Sequence, residues 1–151
     1  MPVTMEQVRA ALDPEEPDYE KAAKLGPEAL PHLEKLIARK DPNLASKAAS
    51  LAGMIKDERA GRVVEKAAKH EDVRVRVAAV YSAQFLPPED ASRVLTAALS
   101  DKDVGVQKVA LKSVPRKPTS ELRAKIEALA KRKRVNPAIQ NLSKEVLARR
   151  R

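Results

Sequence analysis

Few side chains in this sequence could do more than pack, and their spacing limits the chemistry open to them. There are two histidines, His32 and His70, and no cysteine. Without a thiol, cysteine nucleophiles, disulfides and cysteine metal sites are excluded. Neither histidine has a second one three or four positions away beside a carboxylate, so no metal-ligand helix and no Ser/His/Asp set is assembled. His32 precedes a core leucine and His70 falls in a turn, so both are expected to be structural or solvent-exposed. Asp41, Asp72 and Asp103 recur at an interval of 31 residues, each just ahead of an apolar run. A carboxylate placed there accepts backbone N–H bonds and contributes about 1 kcal/mol as a helix cap. The glycines, at 26, 53, 61 and 105, are too scattered for a phosphate-cradling loop. The sequence therefore predicts no catalytic, metal or cofactor residues, and a protein that is not an enzyme. Tyr81 and Phe85, one helical turn apart, stand out instead, with Lys108, Lys112 and Arg116 following them. An aromatic anchor beside cations suits a protein-binding hot spot and would also stack on a base. The plainer alternative packs Phe85 beneath the Pro87-Pro88 turn and leaves the lysines merely solvated.

The elements that must position these residues follow from the same interval. Residues 72–86 read as a helix of about four turns capped by Asp72, with Val75, Ala79, Ser82, Ala83 and Leu86 on one buried stripe. The plan recurs 31 residues earlier at Asp41, with Leu44, Ala48, Leu51, Ala52 and Ile55. It recurs 31 residues later at Asp103, with Val106, Ala110, Ser113 and Val114. Preceding helices align too, through the columns Ala29, Ala60, Ala91 and Leu33, Val64, Leu95. The spacing predicts helix pairs over 27–38 and 42–55, 60–69 and 73–86, and 90–99 and 104–114. A fourth pair starts at the Thr119 cap and at Asn136-Pro137, where the interval stretches to 33. Such thin pairs cannot bury an apolar face alone, so they must stack. Residues 1–25, two short helices broken by Pro14 and Pro17, read as an N-terminal cap, and 26–151 as one continuous repeat domain. The fold class is all-α: a solenoid of about four helix pairs plus that cap.

The Gly-Pro-Glu-Ala-Leu-Pro-His-Leu opening at 26–33, the Asp-Val-(x)-Val-Arg-(x)-Ala-Ala run at 72–79 and a period near 30 resemble bacterial HEAT-like repeats, a short class also found in phycobilisome lyases. The resemblance spans roughly residues 26–149. The Val-Arg pair of the second repeat is Leu44-Ala45 in the first and Val106-Gln107 in the third. It implies an α-solenoid and little about activity, because the fold serves unrelated roles. Nothing beyond the generic repeat supports bilin attachment, and a chain without Trp is a poor match for the alkylpurine glycosylases of related fold. In HEAT-like stacks the second helices line the concave side. The register then aligns Ser46, Val77 and Lys108; Ser50, Tyr81 and Lys112; and Met54, Phe85 and Arg116. The implied recognition face runs from small and neutral, through Tyr81 and Phe85, to a basic patch of Lys108, Lys112 and Arg116. The expected function is a non-enzymatic interaction module or scaffold that binds a protein partner there.

Charge supplies the competing expectations. The net charge is +9, but residues 105–151 carry fourteen Lys/Arg against three Asp/Glu, and residues 1–57 carry eight against ten. Lys131, Arg132, Lys133 and Arg134, with Arg149, Arg150 and Arg151, put seven cations near one end, where they could attract phosphates or an acidic protein surface. Non-specific nucleic-acid binding is therefore the alternative function. An acidic start (Glu6, Asp13, Glu15, Glu16, Asp18 and Glu20) and a basic end also allow head-to-tail self-association. No apolar run approaches the ~18 residues needed to span a bilayer, and the first residues lack a signal-peptide layout. A cytoplasmic protein without membrane contact is expected.

Overall fold

Short polar side chains set the helix starts. In the computed structural model, which describes residues 2–149, Thr4 accepts the Gln7 N–H while the Gln7 side chain accepts the Thr4 N–H, a reciprocal cap that opens α1 (Met5–Leu12). Asp18 caps α2 (Tyr19–Ala23) through the Lys21 N–H. Gly26, at φ +80°, then turns the chain into a 3₁₀ turn (Pro27–Ala29) leading to α3 (Leu30–Ala38). The three repeating aspartates do what their spacing predicts. Asp41 accepts the Leu44 N–H at the start of α4 (Pro42–Ala52), Asp72 the Arg74 N–H at α6 (Val73–Ser82), and Asp103 the Val106 N–H at α8 (Val104–Lys112). Between them lie α5 (Ala60–Ala67) and α7 (Pro88–Ala98), the latter with proline in its first turn. Thr119 caps α9 (Ser120–Lys131) and Asn136 caps α10 (Pro137–Ala148). Among the described residues there are ten α-helices and no strand.

Several helices stop short of their predicted ends. The helix from Asp72 gives way after Ser82 to a 3₁₀ turn (Ala83–Phe85), and Leu86 is extended. Pro87 disfavours helical geometry in the residue before it, so the last turn tightens instead of continuing. Leu86 is buried all the same, and so are Val75, Ala79, Ser82 and Ala83.

The helices stack in two rows. The second helices of the pairs, α4, α6, α8 and α10, pack successively against one another, and the first helices α3, α5, α7 and α9 do likewise. The most extensive packing joins α4 to α6. Small residues permit that approach: Ala48, Ala49 and Ala52 are fully buried on α4, and a Cβ added at Gly53 would collide with the backbone of Ser82. Helices α1 and α2 close one end against α3 and α4. Val8 and Leu12 of α1 share a single hydrophobic core with Ile139 and Val146 of α10, built almost wholly of Ala, Val, Leu and Ile.

The register extends to hydrogen bonds. The Arg76 guanidinium donates to the His70 carbonyl at 3.0 Å, and Gln107, one interval later, donates to the equivalent Asp101 carbonyl at 2.6 Å. The His70 Nδ1 accepts the Asp72 N–H, as the Asp101 carboxylate accepts the Asp103 N–H. Both histidine and aspartate thus brace the turn ahead of a cap.

A candidate partner-binding face on the second helices

Four positions spaced one turn apart, Val73, Val77, Tyr81 and Phe85, form a row on α6 and the turn that ends it. Among the described residues, the exposed large hydrophobic side chains are Val73 (37%), Tyr81 (53%) and Phe85 (46%), all in this row. The helix can leave them outside because its core stripe is complete without them. The two rings meet edge to face, with centroids 6.1 Å apart and planes at 72°. Phe85 is therefore not packed away beneath Pro87-Pro88, since nearly half of its surface is exposed.

On α8 and the segment after it, Lys108, Lys112 and Arg116 occupy the equivalent row and are exposed. The corresponding α10 positions, Asn141, Glu145 and Arg149, are exposed as well. On the other flank the row is closed in. The Ser46 hydroxyl donates to the Pro42 carbonyl, the Lys47 ammonium to the Pro14 carbonyl, and the Tyr19 hydroxyl bonds Ser50. Burial pushes the Tyr19 hydroxyl up in pKa, and the Ser50 bond offsets part of that rise. The neutral end of the expected face is thus partly occupied by the N-terminal helices.

Charge is partitioned sharply. Among the described residues, ion pairs involve cations only from Arg59 to Arg93, and no lysine or arginine from Lys102 onward has an acidic partner within reach. The described cations of the C-terminal end are spread along the last helix pair. Lys131 ends α9 and Arg132 to Arg134 lie on the turn before α10, which the Gln140 side chain fixes by donating to the Ala130 and Arg132 carbonyls. Arg149 lies beyond the other end of α10, twelve residues or about 18 Å away at helical rise. Arg150 and Arg151 lie outside the described residues. Arg149 falls in the row of Arg116.

Other polar groups are committed to structure. Arg76, which amphipathic reasoning would leave in solvent, is buried and grips Asp101 at 3.0 Å, with side-chain exposures of 8% and 11%. It also donates to the Glu71 carbonyl at 3.1 Å. This pair floors a cleft of about 420 Å³ between the second and third repeats, beside His70 and Val94. The sequence signal for it was the Val-Arg pair itself; its partner one repeat away was not legible. His32 donates through Nε2 to the Val3 carbonyl at 2.9 Å and so fastens the start of the chain. At the exposed turns, the Arg74 and Arg59 guanidinium groups, with the backbone N–H of the same residues, hold the Asp72 and Asp57 carboxyls below the usual range. Among the described residues no cluster of three His, Cys, Asp or Glu could hold a metal, and no helix is long and apolar enough to cross a membrane.

Known proteins share this architecture. Residues 30–115 match the family model of HEAT repeats. The fold is similar to the complex of CpcE and CpcF of phycocyanin lyase from Nostoc sp. PCC7120, with a TM-score of 0.70, 18% identity, and coverage of 95% of this chain and 97% of that one. It is also similar to a designed armadillo repeat protein in complex with the peptide (KR)4, with a TM-score of 0.62, 19% identity, and coverage of 97% and 75%. No curated protein matches the sequence. Because the family match takes in more than half of a chain whose helix pairs recur and stack throughout, the chain belongs to the HEAT-repeat family.

Proposed function

We propose that this protein is a non-enzymatic interaction module that binds a protein partner on the concave side formed by its second helices, centred on Tyr81 and Phe85. One observation carries the reading: the large apolar side chains left in solvent are concentrated in one row of α6, beside unpaired cations on α8. Exposed aromatics flanked by charge are the residues that dominate binding when an interface closes over them. Solved proteins of the same fold support it, since the names given them describe a protein complex and a peptide complex. The peptide (KR)4 of the armadillo complex would meet like charge on Lys108, Lys112 and Arg116 here, so a different partner is expected. Affinity capture with the wild-type chain and with a Tyr81→Ala, Phe85→Ala variant tests the proposal. A partner retained by the first and lost by the second is expected; no partner sensitive to these changes would overturn it.

The unpaired cations of the last two repeats favour a second reading, non-specific nucleic-acid binding. Its signature is affinity that falls steeply with salt as counterions are released. A mobility shift at about 50 mM salt that vanishes by about 200 mM is expected on this reading. Absence of any shift at the lower concentration excludes it.

A further inference from the structure

We infer that the partner of this face is an acidic amphipathic helix lying over α6 and α8, its apolar side on the Val73–Phe85 row and its carboxylates toward Lys108, Lys112 and Arg116. The inference rests on the protein-binding reading above and specifies the partner's chemistry. Length is the first argument. The row from Val73 to Phe85 covers thirteen residues, about 18 Å at helical rise, which is a little over three turns of a second helix. Width is the second. Packed neighbours such as α6 and α8 run about 8–10 Å apart. A helix about 10–12 Å across reaches both rows at once. A single extended strand sends alternate side chains to opposite faces and would reach one row only.

Charge supplies the third argument, because the two flanks of the α6 row differ. Toward α4 the neighbours are Ser46 and Ser50, both uncharged, with Ser46 bonded to its own helix and Ser50 to Tyr19 of α2. Toward α8 they are three exposed cations without an acidic partner of their own. An occupant complementary to this face is therefore acidic on one edge only. That asymmetry also fixes which way round the helix is rolled on the face. Nucleic acid fits less well. The Tyr81 and Phe85 rings stand at 72°, so they offer no pair of parallel faces to successive bases. Val73 and Val77 extend the row with methyl groups that give phosphate nothing to bond.

Designed peptides provide the test with the full chain. One peptide of about eighteen residues, five helical turns, carries leucines at i, i+3 and i+4 spacing and glutamates along one flank. A second replaces every glutamate by lysine, and a third scrambles the first. Fluorescence anisotropy is expected to show the acidic peptide binding at least about tenfold more tightly than the other two, with Tyr81→Ala removing most of the difference. The charge-reversed variant Lys108→Glu, Lys112→Glu is expected to prefer the lysine peptide. Both residues are exposed, and circular dichroism verifies that the helices persist. Equal binding of the acidic and lysine peptides, or an unchanged preference after charge reversal, overturns the inference. So does full displacement of the acidic peptide by an equimolar single-stranded oligonucleotide, which assigns the face to nucleic acid. A partner captured in a Tyr81-dependent way while the acidic peptide fails would refute the acidic helix and leave protein binding standing.

Discussion

At the scale of the residue, buried charge and exposed charge make opposite predictions. Arg76 and Asp101 are nearly out of solvent; Arg76 donates to the Asp101 carboxylate one repeat away and to the His70 and Glu71 carbonyls of its own turn. Removing one partner leaves the other buried and uncompensated, a loss of about 3–5 kcal/mol. Arg76→Ala should therefore lower the urea midpoint sharply, and Arg76→Met with Asp101→Leu should recover part of the loss. Equal denaturation of wild type and Arg76→Ala would show that the pair contributes nothing. Asp72 belongs to the other class. Its folded carboxyl is held below its unfolded value by Arg74. The sign follows: the stabilisation is present above the unfolded value, about 3.9, and is lost as pH falls through the lower folded one. Thermal midpoints should stay level from neutral pH to about pH 5 and drop below about pH 4. Asp72→Asn should flatten that acid limb, and Asp57, held the same way by Arg59, accounts for some of what is left. An identical pH profile for Asp72→Asn would contradict this assignment.

At the scale of the element, caps were readable and close approaches were not. Asp41, Asp72, Asp103, Thr119 and Asn136 all accept the N–H bonds that their positions imply, because capping is a matter of local sequence. The tightened end of α6 followed from Pro87 and was still missed, since apolar periodicity runs on through Leu86 and does not distinguish a 3₁₀ turn from another turn of helix. Gly53 marks where α4 passes the end of α6, which depends on two helices at once. A Cβ there meets the Ser82 carbonyl group, a backbone unit that cannot swing aside. Gly53→Ala should cost about 1–3 kcal/mol by overpacking, read as a lowered midpoint in chemical denaturation. A gain in stability, as expected for alanine in an open helix end, would show that the approach is looser than described. The candidate face was partly legible: the interval of 31 aligned Tyr81 and Phe85 with Lys112 and Arg116, but it said nothing of Val73, and Tyr19 covers Ser50 from outside the repeats.

At the scale of the whole molecule, the stack separates charge as the sequence does, with exposed carboxylates around α1 and α2 and unpaired cations on the last two repeats. Unlike ends of different molecules attract, yet each exposed pair contributes only about 0–1 kcal/mol. Light scattering should report a monomer at about 0.15 M salt and a mass that grows with protein concentration at about 0.01 M, where the Debye length reaches about 30 Å. Constant mass at both would dismiss head-to-tail association. The sequence by itself determined the helix pairs, their interval, their caps and the alanine-rich composition of the core, because each rests on contacts within about four residues or on repetition of one unit. Tertiary structure alone decided that Arg76 reaches Asp101, that α10 keeps Lys131–Arg134 apart from Arg149, and that the N-terminal helices close the neutral side of the face. Those three outcomes depend on which surfaces meet after stacking, and a pattern read along one helix carries no record of its neighbours.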